Sequence, residues 1–130
     1  MLRQNTFLRY ALLADAVASG ATGLMMIAGA GLLEGLLGLP TALMREAGLV
    51  LVPYVAFVAW VGTREAISRP AVQAIIAMNV LWVVGSAVVL FGFVAPTILG
   101  YAFVIAQAVV VGVFAELQFI GLRRQDAVAA

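Results

Sequence analysis

Four apolar runs take up most of this chain, and they limit its folding more than any other feature. They fall at about residues 7–30, 49–63, 71–93 and 98–122. A helix rises about 1.5 Å per residue, so roughly 20 apolar residues cross a hydrocarbon core about 30 Å thick. With 65% hydrophobic and 10% charged residues and a mean hydropathy of +1.17, too little polar sequence remains to coat a water-soluble core. The expected fold is all-α: one integral membrane four-helix bundle spanning residues 1–130, with the lipid bilayer as its first partner.

The first run contains the small-x-small triplet Ala28, Gly29, Ala30, which has the form of a signal-peptide cleavage site. The run is longer than a signal-peptide core and holds Asp15, so it reads as a span. Residues 31–48 (GLLEGLLGLPTALMREAG) are interrupted by glycines, Pro40, Glu34, Arg45 and Glu46. They are expected to form a short interfacial element between the first two spans, its leucines dipping into lipid. Pro53 removes a backbone donor inside the second span and is expected to bend it, and Trp60 sits near the end of that run as an interfacial anchor. Pro70 is placed to open the third helix.

All seven positive charges are arginines. In a four-span chain Arg3, Arg9, Arg64, Arg69, Arg123 and Arg124 share one side and Arg45 stands on the other. The positive-inside rule then puts both termini in the cytoplasm of a bacterial-type inner membrane. A faint duplication is also present: Ala11 to Ala14 followed by Asp15 matches Ala74 to Ala77 followed by Asn79. It suggests two repeated helical hairpins in the same orientation.

The net charge of +1, with no basic stripe, argues against nucleic acid as a partner. Without cysteine or histidine the chain cannot build a disulfide, a thiolate nucleophile or a histidine-ligated metal. No cofactor or metal is expected, and the chemistry left is that of carboxylates.

Asp15 is the acid that most needs explaining, because an ionisable group inside a span costs at least about 2.5 kcal/mol at the helix centre. Counted from the flanking arginines at about 1.5 Å per residue, Asp15 lies about 9 Å deep, Asn79 about 15 Å and Glu116 about 10 Å. A shared polar layer of Asp15, Asn79 and Glu116 follows, with Arg64 within reach and Tyr10, Ser19, Gln107, Gln118 and Trp82 as secondary members. Asn79, Trp82 and Ser86 fall on one helical face. Gln107 and Gln118, eleven residues apart, also share a face, whereas Glu116 points almost oppositely to Gln107, so one helix cannot aim all three inward. Small residues at four-residue spacing (Ala14, Ala18 and Thr22; Ser19 and Gly23; Ala108 and Gly112) would let helices pack closely. The layer has three readings: interhelical hydrogen bonds that hold the bundle, a proton- or cation-coupled site, or a Glu116 that merely reaches the interface.

Two stretches, LADAVASG at 13–20 and FAELQFIGLRR at 114–124, resemble a family of small four-span bacterial inner-membrane proteins with no assigned activity. That resemblance implies topology and no mechanism. The small multidrug-resistance exporters are also similar in having four short helices with an acid in the first. They differ in using a glutamate, in a more aromatic first helix, and in having no counterpart to residues 31–48 or to Glu116. With almost no soluble mass and no identifiable reaction centre, the chain is expected to be a non-enzymatic protein acting as an accessory, scaffolding or assembly partner within the bilayer, as a homo-oligomer or in a larger complex. The alternative is a small proton- or cation-coupled transporter using Asp15 and Glu116.

Overall fold

A computed structural model describes residues 6–92 and 95–129, with side-chain surroundings through Arg124. Arg3, counted above for orientation, and Phe93, the expected end of the third span, lie outside the described residues. Five helices follow one another: α1 (Thr6–Ala28), α2 (Ala30–Leu37), α3 (Thr41–Thr63), α4 (Arg69–Gly92) and α5 (Ile98–Ala129). All but α2 are long and apolar enough to cross a membrane. Large apolar side chains such as Val17, Leu24, Leu81 and Val109 point outward on these helices, as they do where the surroundings are lipid. The chain is thus built as a multi-pass membrane protein.

The connection between the first two spans differs from the expectation. Only its first half is a separate short helix, α2, and its second half is the beginning of α3, which starts at Thr41 rather than near Leu49. The TALMREA segment is made mostly of good helix formers, and Gly48 is not a breaker. It lies where α3 crosses α1: a Cβ there would come within 2.8 Å of Ile27 Cγ1 and 2.9 Å of the Gly23 carbonyl oxygen. Glycine is used for close approach, and Gly23 on α1 answers it across the same crossing. By contrast, nothing packs within 4 Å of a Cβ built at Gly112, so the Ala108–Gly112 spacing makes no such crossing.

Two stops frame α2. Gly38 ends it in the left-handed conformation (φ 69°), donating its N–H to the Glu34 carbonyl at 2.9 Å. Pro40, with φ fixed at −56°, then leads into α3. The Glu34 carboxylate reaches forward to accept both the Thr41 N–H (2.8 Å) and the Thr41 hydroxyl. An acid thus sits at the positive end of α3 and satisfies an otherwise orphaned amide. The carbonyls at the end of α2 are taken up by the α4–α5 connection: Thr97 donates its N–H to Leu37 O (3.0 Å) and its hydroxyl to Leu36 O (2.8 Å). Leu37 and Leu39 are buried there, while Leu32 and Leu36 face outward.

The most extensive packing is α1 on α3 and α4 on α5. Next comes α1 on α5, and α3 barely touches α4. Two apolar clusters form the interior. One gathers Leu8, Leu12, Val58, Val61, Ile75 and Leu122 with their neighbours, and the other gathers Met26, Leu37, Met44, Leu51 and Val104 with theirs. Tyr54 packs against both and marks the level at which the polar groups lie.

Candidate functional site

Between the two apolar clusters, four helices each contribute a polar side chain to one point. Asp15 on α1 and Gln118 on α5 are completely buried, Asn79 on α4 is 3% exposed, and Tyr54 comes from α3. The Asp15 carboxyl is at the centre. Its Oδ1 accepts the Ser19 hydroxyl at 2.9 Å. Its Oδ2 accepts from Tyr54 OH (2.6 Å), Gln118 Nε2 (2.8 Å) and Asn79 Nδ2 (3.2 Å). Asn79 Nδ2 also donates to Gln118 Oε1 at 3.0 Å, and the Tyr54 oxygen lies 2.7 Å from Asn79 Oδ1. Among the described residues, no buried side-chain nitrogen or oxygen lacks a hydrogen-bond partner. The four side chains that meet Asp15 are all neutral, so the carboxyl is held by directed hydrogen bonds rather than by an ion pair.

Of the residues singled out in the sequence, the structure brings together Asp15, Asn79, Ser19 and Gln118. It does not bring Glu116, Arg64 or Tyr10. Glu116 is exposed, because two residues along α5 from Gln118 is a turn of about 200°. The glutamines take the inward face, and the acid takes the outward one. Arg64 is also exposed: its Nε donates to the Trp60 carbonyl (3.1 Å) and its guanidinium lies 5.1 Å from the Trp60 ring centre. Tyr10 is 67% exposed. Arg9 closes the end of α3, its Nη1 donating to the carbonyls of Gly62 and Arg64 at 2.7 Å each. A cation is well placed there, at the negative end of a helix.

Gln107, Trp82 and Ser86 form a second group, between α4 and α5. Trp82 Nε1 donates to Gln107 Oε1 (2.6 Å), Gln107 Nε2 donates to Ser86 Oγ (2.9 Å), and Ser86 donates back to the Trp82 carbonyl (2.8 Å). The face shared by Asn79, Trp82 and Ser86 therefore exists, and it borders a cavity of about 960 Å³. The cavity lies between α3 and α4 and is backed by α1 and α5. Its wall is chiefly apolar, with Leu51, Phe57, Leu81 and Phe103 among the lining residues, and Tyr54, Asn79 and Ser19 also reach it.

Tyr54 is the member that the sequence reading missed. A tyrosine in an apolar run reads as an ordinary anchor, but its spacing carries a signal. Gly48, Leu51, Tyr54, Val58 and Val61 recur every three or four residues, the period of a buried helical face.

Among the described residues no three His, Cys, Asp or Glu side chains gather in a metal-ligand set. The arrangement can lock four helices in register, hold a proton within a hydrogen-bonded ring, and present an apolar recess beside it. No family model, curated protein or solved structure matches the chain.

Proposed function

We propose that this is a non-enzymatic accessory protein of the bacterial inner membrane, whose working surface is the recess between α3 and α4. In this reading the hydrocarbon part of a lipid-like molecule fills the recess. The supporting observation is the cavity itself: about 960 Å³, walled mainly by apolar side chains, where two neighbouring spans scarcely touch. A spanning helix about 30 Å long and 11 Å across occupies about 2,900 Å³, so the recess suits a chain or a small lipophile far better than a whole partner helix. Its volume lies in the usual range of small-molecule pockets, about 300–1,000 Å³.

Gly85 supplies the test, because it lines the recess and a Cβ built on it meets nothing within 4 Å. A side chain at this position starts into open space, and Gly85→Phe places a ring at the wall of the recess. In Trp60→Phe protein, whose remaining tryptophan is Trp82, brominated acyl chains should quench fluorescence from within the recess. Adding Gly85→Phe should relieve that quenching. Equal quenching with and without the phenylalanine would sink the reading.

The arginine bias supports cytoplasmic placement of both chain ends. The pairing of α1 with α3 and of α4 with α5 supports descent from a duplicated hairpin. The two motifs at 13–20 and 114–124 support membership of the four-span family they resemble. Coupled transport remains a second reading because Asp15, a buried acid, adjoins the recess through Tyr54 and Asn79. On this geometry it would use Asp15 without Glu116.

A further inference from the structure

The hydrogen bonds around Asp15 can be counted, and the count is one proton short. The Tyr54 oxygen lies 2.6 Å from Asp15 Oδ2 and 2.7 Å from Asn79 Oδ1, yet a phenol has one hydrogen. With Asp15 ionised, one of these lines joins two acceptor oxygens at hydrogen-bond distance with nothing between them. A half-turn of an amide exchanges its oxygen and nitrogen, so either orientation of Asn79 and of Gln118 bears on the count. Turning Asn79 alone sets its carbonyl against Gln118 Oε1 at 3.0 Å, and turning Gln118 alone sets two amide nitrogens there. Turning both repairs that contact and gives Tyr54 a donor, but sets two carbonyl oxygens against Asp15 Oδ2, that of Gln118 at 2.8 Å and that of Asn79 at 3.2 Å. In every arrangement at least one short contact lacks its hydrogen.

We infer that the four-helix ring is a proton-binding site and that the missing proton resides on Asp15 Oδ2. In the arrangement as found, that proton is donated to Tyr54, whose own hydrogen passes to Asn79. With both amides turned, a proton on Asp15 serves Gln118 but leaves the Asn79 carbonyl 3.2 Å from Asp15 Oδ2 without a hydrogen, so only the arrangement as found fills every contact. The surroundings agree from every side. α3 presents Tyr54, α4 presents Asn79, α5 presents Gln118, and α1 presents Ser19, none of them a cation. The nearest charges along the packed elements are turned elsewhere: Arg9 is committed to the carbonyls at the end of α3, and Arg64 and Glu116 are exposed. A carboxylate buried without a counter-charge is costly, and taking up a proton removes that cost. Because Tyr54 and Asn79 also line the recess, the proton has neighbours that border its space.

The sequence makes the site readable by isotope. Aspartate occurs only at positions 15 and 126, so carboxyl-¹³C aspartate marks two groups among all the acids. Infrared spectra of the full chain in lipid nanodiscs at neutral pH should show a protonated-carboxyl carbonyl band that shifts on ¹³C labelling. The band should persist in Asp126→Asn and vanish in Asp15→Asn. Should Asp15→Asn fail to fold, the Asp126→Asn protein still decides, since Asp15 is then its sole labelled acid. Absence of an isotope-sensitive acid band from that protein would overturn the inference, as would a band that survives Asp15→Asn.

Discussion

Gln118 and Glu116 stand two residues apart on one helix and have opposite fates. Gln118 is fully buried and bonds to both Asp15 and Asn79, while Glu116 is exposed. Removing Gln118 leaves two buried polar groups short of a partner, at a cost of about 1–3 kcal/mol. Interhelical bonds in membranes average only about 0.6 kcal/mol, so the low end of that range is the natural expectation. Gln118→Leu should therefore lower unfolding stability in bicelles by about 1 kcal/mol or more, whereas Glu116→Gln should stay within about 0.5 kcal/mol. Equal losses measured by steric trapping would contradict the burial pattern. Asp15 and Asn79 were legible from sequence because polar side chains inside apolar runs have no cheap alternative to meeting one another. The choice between Gln118 and Glu116 was not, because the spacing shows that they oppose and only the neighbouring helices fix which faces in. Tyr54 was hidden because a tyrosine belongs in a membrane helix for several reasons.

At the level of elements, the short helix α2 is joined to α3 by a side chain rather than by packing alone. The Thr41 hydroxyl, and after it the Thr41 N–H, hold the Glu34 carboxyl below its ordinary value of 4.5. Because the folded value is the lower one, the contact contributes fully above the ordinary value and is lost as pH falls through the depressed one. Exchange protection of the Thr41 amide should be flat from neutral pH down to about pH 5 and then decline as Glu34 is protonated. Glu34→Gln should abolish that pH dependence, and an unchanged profile in the variant would show that the carboxylate does not cap α3. The sequence marked residues 31–48 as a distinct segment, and charge and proline earned it that reading. The place where α3 begins was obscured by Gly48, since a glycine needed for helix contact and one that ends a helix look alike until the facing Gly23 is known.

At the scale of the whole molecule, length and hydropathy were enough to foresee four long apolar helices, because few other folds accommodate so little polar sequence. The gap between α3 and α4 was not foreseeable, since apolar residues that face lipid, a neighbour or a recess are chemically alike. The proposed orientation has a direct check at two exposed alanines, Ala42 near Arg45 and Ala66 near Arg64. Single Ala42→Cys and Ala66→Cys variants should react with a membrane-impermeant thiol reagent from opposite sides, with position 66 cytoplasmic. Labelling from the same side would overturn the topology.

The fastenings between the two helical pairs are not evenly spread. α5 is tied to α1 through Gln118 and Asp15, and the chain leading into α5 is tied to α2 through Thr97 and the carbonyls of Leu36 and Leu37. On the opposite side, the Tyr54–Asn79 bond bridges α3 and α4, whose backbones approach at few points, and Asn79 also reaches Asp15 on α1. The two pairs are thus riveted mainly beside α5, and the α3–α4 seam, where the recess lies, is the face with the fewest rivets.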